Sequence, residues 1–378
     1  MKGFIKFYLA PYVNPAEANY QHALVALAEG CRELGLSFCG NIDYWFEPER
    51  NDYLIRKDIH QTAAEIHVYD ASYFMLHPEG IDQVDFQKIN VLTDLMDGFN
   101  TFCTDPRFSK FDLILKTHYS KNFKYPKNVR PWAFGLSQRI LDQISRSLQV
   151  PIGKNILVNY RVPHDIRARA VAELVPVLET NYKIVNQVNA FSVPPDGQED
   201  KHYWEQSGRR HYPEFYASLN SSSFTFCFGG SVHFRPLTLN FVSKILRQYP
   251  IIKYKIGLSN LSSCAIIYQY DSWRLWECLA SNSVPLHMDF GMYDWVLPEM
   301  PVEGVHYIGV GDSFKRTGES ILRLNSGQIR KIAGEGRAWV LEHYSPKPTA
   351  SRLFKFLSEV CSAEKWQRVS YKPNKHAE

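Results

Sequence analysis

The stretch from Asp271 to Leu286 constrains the fold of this chain more than any other, because its pattern predicts an amphipathic helix that runs directly into a buried strand. Apolar residues recur at helical spacing on one side and polar residues gather on the other. The apolar side is Leu275, Trp276, Leu279 and Ala280, and the polar, exposed side is Asp271, Arg274, Glu277 and Ser281. The side-chain oxygen of Asp271 or Ser272 is expected to cap the first turn.

Strand and helix patterns alternate along the rest of the chain, which favours parallel α/β sheets. Residues 4–10, 36–41, 65–76 and 111–116 are predicted to contain strands, and residues 16–35 a helix. The pattern restarts near residue 151, with strands at 155–160 and 223–228 and helices at 163–180 and 212–220. The 378 residues are enough for two domains, each with its own core.

Composition narrows the class of protein only moderately. Hydrophobic residues at 45% and charged residues at 22% are globular values, and a net charge of +4 neither demands nor excludes a polyanionic partner. The seven cysteines form no C-x-x-C pair, so reduced thiols are expected rather than a zinc site. The first residues lack the apolar block of a signal peptide, and no membrane span is expected. These features predict a cytoplasmic protein, with room for peripheral contact at a membrane face.

The Asp271–Leu286 run resembles the donor-binding signature of nucleotide-sugar-dependent glycosyltransferases of the two-domain GT-B type, and among them the exostosin-like family. The signature, S-x-R-x-x-E-A-L-A-x-G-x-x-P-V, is matched by Ser272, Arg274, Glu277, Leu279, Ala280 and Pro285, whereas Cys278, Asn282 and Leu286 replace its Ala, Gly and Val. A second family element, Y-x-x-L-x-x-S-x-F, is matched by Tyr216, Leu219, Ser222 and Phe224. The resemblance covers about residues 150–345.

This resemblance implies an α/β protein of GT-B fold, with two Rossmann-like domains whose parallel sheets face each other across a cleft. Residues 1–150 would bind the acceptor, residues 151–345 the nucleotide-diphosphate sugar, and residues 346–378 would form a C-terminal helix returning to the first domain and a polar tail. The implied activity transfers a sugar to a hydroxyl of a glycan or other acceptor, as in polysaccharide biosynthesis. No cofactor and no nucleic-acid partner are expected.

The candidate donor-binding residues lie on the predicted helix, including Asp271 and Ser272 at its start, and at strand ends. The resemblance implies that Glu277 holds the ribose, because an ionised carboxylate offers two acceptor oxygens. The alternative is that Glu277 only forms an ion pair with Arg274. Arg274 itself is suited to a phosphate through its planar guanidinium. Trp295 is a candidate for stacking on a base or sugar, whereas Trp276 is expected in the core.

A diphosphate site is predicted where the strand 155–160 leads into a helix. Arg161, His164 and Arg167 would converge there with backbone N–H groups, unless they are simply solvated basic residues. Gly229 and Gly230 would allow close backbone approach or form an ordinary turn, and Arg235 is a further phosphate candidate. No D-x-D motif is found, so no metal site is expected, and Arg, His and backbone groups would have to neutralise the leaving diphosphate.

The catalytic base is expected from the first domain. Asp43 follows the second predicted strand and His118 follows the strand near 113–115, although such residues are more often hydrogen-bonding loop residues. Gln269 stands eight positions before Glu277, where many retaining enzymes carry a Glu, so an inverting displacement is favoured. The alternative to an enzyme is a non-catalytic module that binds a sugar or a nucleotide sugar. A dinucleotide oxidoreductase is disfavoured because the first strand of each predicted domain lacks a following G-x-G-x-x-G motif.

Overall fold

The first half of the chain is built around one parallel sheet. The computed structural model describes residues 4–10, 22–58, 64–99, 101–159, 164–188, 193–234, 265–268 and 270–369. The strands of the first half are Phe4–Tyr8 (β1), Ser37–Gly40 (β2), Tyr44–Glu47 (β3), Asp52–Ile55 (β4), Ile66–Asp70 (β5), Ile89–Asp94 (β6), Leu113–Lys116 (β7) and Val129–Pro131 (β8). Six of them form a sheet in the order β2-β1-β5-β6-β7-β8, while β3 and β4 form a separate antiparallel hairpin.

The second half contains another parallel sheet. Its strands are Gly153–Val158 (β9), Lys183–Asn186 (β10), Ser222–Phe226 (β11), Ser231–Phe234 (β12), Ala265–Tyr268 (β13), Val284–Met288 (β14) and Ile308–Val310 (β15). Five of them form a sheet in the order β10-β9-β11-β14-β15, and β12 pairs with β13 in antiparallel fashion. The paired strands within each large sheet run parallel, which confirms the expected pair of Rossmann-like α/β units.

Helices connect and cover these strands. They are His22–Glu33 (α1), Ala71–Leu76 (α2), Gln138–Arg146 (α3), Asp165–Glu173 (α4), Val175–Leu178 (α5), Gln198–Gln206 (α6), Pro213–Ser221 (α7), Trp273–Ala280 (α8), Phe314–Ile321 (α9), Ser326–Tyr344 (α10), Pro346–Val360 (α11) and Ala363–Arg368 (α12). Short 3₁₀ turns occupy Pro78–Gln83, Phe102–Thr104 and Pro106–Phe108.

Central strands are buried on both faces, as covered parallel sheets require. Every residue of β5, β6, β7, β11 and β14 is buried. Helix α11 packs closely on α1, where Gly30 leaves no space for a side chain: an added Cβ would lie 2.0 Å from the carbonyl oxygen of Pro346. Helix α11 therefore covers part of the first sheet together with α1.

The strand order creates a switch point in each sheet. In the first sheet β2 and β5 lie on opposite sides of β1, and in the second β10 and β11 lie on opposite sides of β9. Connections leave such neighbouring strands in opposite directions, which opens a crevice at their carboxyl ends, the usual ligand site of open α/β sheets.

Some sequence predictions need correction. Residues 65–76 contain the predicted strand only up to Asp70, where the chain turns into α2; the Asp70 carboxylate caps that helix by accepting the N–H of Ser72 at 2.8 Å. The predicted helix 163–180 is divided into α4 and α5 at Leu174, since Pro176 in the first turn of α5 has no N–H to continue the ladder. The predicted helix 16–35 is described from residue 22 onward.

Candidate functional site

The switch point of the second sheet brings a histidine against a glycine turn. His164 is the N-cap residue of α4, and its Nδ1 accepts the N–H of Gly230 at 3.2 Å. Arg167, in the first turns of the same helix, donates from Nε to the carbonyl oxygen of Phe228 at 2.8 Å. Burial lowers the pKa of His164, and the neighbouring Arg167 lowers it further. The start of α4 and the end of β11 thus form one hydrogen-bonded unit.

Gly230 is required by this turn, and Gly229 precedes it in the same buried connection. The backbone of Gly230 has a φ of +106°, in a region that L residues rarely adopt. A Cβ there would lie 2.4 Å from Cγ2 of Ile267 and 2.6 Å from the carbonyl oxygen of Tyr268. The turn can therefore approach β13 only because it carries no side chain.

Helix α8 begins where the sequence pattern placed it, but its capping differs from the prediction. Ser272 is the N-cap residue and makes no side-chain cap bond. The Asp271 carboxylate instead accepts the indole N–H of Trp276 at 2.6 Å and the backbone N–H of Phe134 at 3.3 Å. Asp271 is 4% exposed, and burial raises the pKa of its carboxyl to about 6. The predicted side-chain cap is wrong, since this acid connects the helix start to the first half of the chain.

Glu277 does not lie on an exposed helix face. It is 8% exposed, and its Oε1 accepts the hydroxyl proton of Tyr216 at 3.1 Å. Burial raises the pKa of this carboxyl, while the positive charges of Arg139 and Arg274 act against that rise. Glu277 therefore lies on a buried part of α8, because Tyr216 of α7 contacts it and α3 packs on the same helix.

Arg274 joins α8 to the switch point. Its Nη2 donates to Oδ1 of Asn159, the residue directly after β9, at 3.4 Å. The side chain is half-buried. A guanidinium from α8 thus lies at the same strand end from which the chain leads to His164, as a phosphate site there would require.

His118 comes from the first sheet and contacts the start of α8. It follows β7 with a φ of +52° and is fully buried, its ring packed edge-on against Phe134 and Tyr270. Its Nδ1 accepts the backbone N–H of Asp271 at 3.2 Å. Because a backbone N–H can only donate, the neutral ring must carry its proton on Nε2.

The other ring nitrogen of His118 faces an acid that the sequence analysis missed. Nε2 lies 3.4 Å from Oδ1 of Asp97 and has no hydrogen-bond partner within the ranges that the structure describes. Asp97 is half-exposed and follows β6, the strand adjacent to β7. Two neighbouring strand ends of the first sheet therefore bring an imidazole N–H and a carboxylate together beside α8.

The remaining residues predicted for the site do not lie together with those above. Trp295 is 1% exposed, and its ring stacks on Tyr270 at 4.5 Å and on Tyr293 at 5.3 Å, so the expectation that it stacks on a ligand is corrected to a core position. Trp276 is buried, as expected. Asp43 is exposed and accepts the backbone N–H of Lys57 at 2.7 Å. Arg161 and Arg235 lie outside the described residues.

Three residues near the site escaped the sequence analysis as functional candidates: Asp97, Arg139 and Tyr216. Asp97 follows β6, a strand that the apolar pattern does not predict, because the polar residues Asn90 and Thr93 interrupt its apolar run. Its position three residues after a strand and directly before Gly98 was the available signal. Arg139 lies on α3, far from Glu277 in sequence, so only the fold brings the two together.

Comparisons with known proteins bear on the fold. No protein-family model matches the chain, and no curated protein matches it significantly. An α-glucosyltransferase crystallised with UDP and a 13-mer DNA is 9% identical over 95% of this chain and 100% of its own, with a TM-score of 0.52. A glycosyltransferase from Rickettsia africae is 8% identical over 96% and 99%, and an Anabaena protein in complex with UDP-glucose is 10% identical over 94% and 99%, both with TM-scores of 0.49.

The class follows from the first of these likenesses together with the two parallel sheets: the chain has the GT-B fold. At such low identity the likeness shows the fold alone. Within the described ranges no helix is long and apolar enough to cross a membrane. The same part of the chain contains no cluster of three or more His, Cys, Asp or Glu arranged to hold a metal ion.

Proposed function

We propose that this protein is a nucleotide-sugar-dependent glycosyltransferase, related to the exostosin-like group, that transfers a sugar to a hydroxyl of a glycan or other acceptor. One observation supports this most strongly. Helix α8 brings Arg274 to the strand end at the switch point of the second sheet, Glu277 follows three residues later on the same helix, and the start of the helix contacts His118 of the first sheet. A donor bound at the switch point would thus lie close to polar groups of both sheets.

The donor would be held through its ribose and its diphosphate. Glu277 accepts the ribose hydroxyls in this proposal, as the resembling signature implies. Arg274, Arg167 and His164 surround the place of the diphosphate, together with the backbone of the Gly229–Gly230 turn. Arg161 and Arg235 are further phosphate candidates from the sequence. These groups would stabilise the negative charge that develops on the departing diphosphate, so we propose that transfer needs no divalent metal.

The geometry at His118 suggests how the acceptor is activated. The N–H of Asp271 occupies Nδ1, so the neutral ring carries its proton on Nε2 and cannot accept another there. We therefore assign the base role to the carboxylate of Asp97, which lies 3.4 Å from Nε2 of His118, and keep Asp43 as the other candidate. The acceptor hydroxyl gives its proton to the carboxylate, its oxygen bonds to the anomeric carbon, and the bond to the diphosphate oxygen breaks. A single displacement of this kind inverts the anomeric configuration.

A ligand screen tests the donor site directly. UDP, GDP and ADP, and their sugars, are added to the protein with EDTA or with Mg²⁺, and Tm is measured. We expect one nucleoside diphosphate to raise Tm in EDTA. Glu277→Ala should remove that rise, whereas Glu319→Ala, at an exposed position on α9, should retain it. A rise that requires Mg²⁺ contradicts metal independence, and no rise with any ligand contradicts the donor site.

Turnover separates an enzyme from a binding module. Release of the nucleoside diphosphate with a glycan acceptor supports transfer, and the anomeric configuration of the product, read by NMR, tests inversion. Tight binding without release in any acceptor mixture favours the non-catalytic module. The similar α-glucosyltransferase was crystallised with DNA, so an oligonucleotide belongs among the acceptors, although we predict that it is inert.

A cytoplasmic location remains a prediction, with which the free thiols of the six described cysteines agree.

A further inference from the structure

A buried chain of hydrogen bonds lies behind Glu277. The hydroxyl of Tyr216, on α7, donates to Glu277 Oε1 at 3.1 Å and accepts a proton from Nη1 of Arg139 at 2.9 Å. Tyr216 is fully buried and Arg139 is 7% exposed. Since a hydroxyl has a single proton, the Arg139 donor directs that proton towards the carboxylate.

Arg139 is itself held in place by a neutral histidine. Its Nη1 contacts Nδ1 of His211 at 2.8 Å, and Nε2 of His211 contacts Oδ1 of Asp200 at 2.7 Å. The guanidinium can only donate, so Nδ1 accepts and the ring proton on Nε2 is donated to Asp200. Burial lowers the pKa of His211, and Arg139 lowers it further. Gln143 donates to the same oxygen of Asp200 at 3.2 Å and fixes the end of the chain.

The helix that carries Arg139 is attached to the first half of the chain. Glu29 of α1 accepts the N–H of Gln138, the first residue of α3, at 2.8 Å. The remainder of α3 packs on α7 and α8. Arg139 therefore lies between the helical layer of the first sheet and the acid of the predicted donor site.

From this arrangement we infer that Arg139 and Tyr216 are positioning residues for the nucleotide. They fix the carboxylate plane of Glu277 by occupying Oε1, which leaves Oε2 to receive the ribose hydroxyls. The inference depends on the proposed function, because it assumes that Glu277 binds the ribose.

A carboxylate so deeply buried needs this support. Burial alone favours the neutral acid, which accepts hydrogen bonds poorly, and the pKa of Glu277 is raised for that reason. The charge of Arg139 opposes the rise, and the tyrosine proton stabilises the ionised form. Removal of the Tyr216 hydroxyl would thus weaken an interaction that the ligand makes, without removing any group that the ligand touches.

The test compares two tyrosines. Tyr216→Phe removes the hydroxyl that contacts Glu277. Tyr203→Phe is the matched control, because that hydroxyl donates to Glu49 at 2.8 Å and its ring also packs near His211. Kd is measured by titration with UDP or GDP, whichever the wild type binds. We expect Tyr216→Phe to raise Kd about tenfold and Tyr203→Phe to leave it unchanged.

Two further measurements distinguish positioning from general support of the fold. KM for the donor should rise with little change in kcat, because ribose binding is the same in the ground and transition states. In a Glu277→Gln background Tyr216→Phe should cause no further loss, since its effect acts through the carboxylate. Equal Kd for the two tyrosine variants overturns the inference, as does an undiminished loss in the Gln background. Failure of the wild type to bind any nucleoside diphosphate overturns the proposed function instead.

Discussion

Replacement of Glu29 by glutamine should change how the stability of the protein depends on pH. Glu29 is 3% exposed, and its Oε2 accepts the N–H of Gln138 at 2.8 Å. Burial raises the pKa of this carboxyl from 4.5 to about 8, against the opposing effects of that hydrogen bond and of Arg32. The folded protein therefore keeps a proton on Glu29 over a pH range in which the unfolded chain has lost it.

The sign of the effect follows from proton binding. Between pH 4.5 and about pH 8 the folded state binds one more proton than the unfolded state at Glu29, so rising pH favours unfolding. The free energy of unfolding should fall by about 1.4 kcal/mol for each pH unit, or by about 5 kcal/mol over the whole range. Below and above this range the two states titrate alike at Glu29, and its contribution is constant.

Urea denaturation followed by tryptophan fluorescence measures this dependence. The glutamine of Glu29→Gln keeps an acceptor oxygen for Gln138 and does not titrate. From about pH 6.5 to about pH 8 the wild type should lose about 2 kcal/mol relative to the variant. Asp70→Asn is the matched control, because burial raises the pKa of Asp70 only to about 6, so its difference from the wild type should not change over that interval. Parallel curves for the wild type and Glu29→Gln would refute the reasoning.

Three other substitutions test the packing that positions the site. Gly30→Ala places a Cβ 2.0 Å from the carbonyl oxygen of Pro346 and should destabilise the protein by about 2–3 kcal/mol; an unchanged urea midpoint would contradict the close crossing of α1 and α11. Gly230→Ala requires φ +106° of an alanine and should cost about 1–3 kcal/mol together with a higher Kd for the nucleotide, whereas normal binding would show that the turn lies away from the ligand. Lys116→Met leaves the Asp94 carboxylate buried without its cation, since both side chains are fully buried 3.2 Å apart, and should cost about 3–5 kcal/mol. The double variant with Asp94→Asn should recover part of that loss, and an equal or greater loss would contradict the pairing.

The sequence predicted those parts of the fold that depend on local pattern. The strand at the start of the chain, the α1 stripe and the α8–β14 unit were recognisable because apolar spacing, a glycine stop and a proline-bearing strand occur together. Strand β6 was not recognised, because Asn90 and Thr93 are buried within it. The amide of Asn90 donates to the carbonyl oxygens of Asp85 and Lys88, and these hydrogen bonds offset the free-energy cost of burying a polar side chain.

The candidate site was predictable only where its residues lie on those elements. His164, Arg167, Arg274 and Glu277 were named because they follow a strand or occupy the signature helix. The burial of Glu277 was not predictable, since it depends on Tyr216 and on the arginine of α3, which lie 61 and 138 positions away in the chain. Spacing along one helix shows which residues share a face, but the packing of other helices decides whether that face meets water.

The contacts between the two halves of the chain lie beside the proposed catalytic groups, and many of them are made by the backbone. The N–H of Val296 donates to the carbonyl oxygen of Tyr119 at 3.0 Å, and the N–H of Lys121 donates to that of Asp294 at 2.8 Å. His118 directly precedes Tyr119 in the chain and itself accepts the backbone N–H of Asp271. Main-chain groups have far less freedom than long side chains, so such contacts fix the distance between His118 and α8 with little entropic cost at the moment of reaction. The proposed transfer reaction would benefit from contacts of this kind, because small displacements of the reacting groups cost much of the rate.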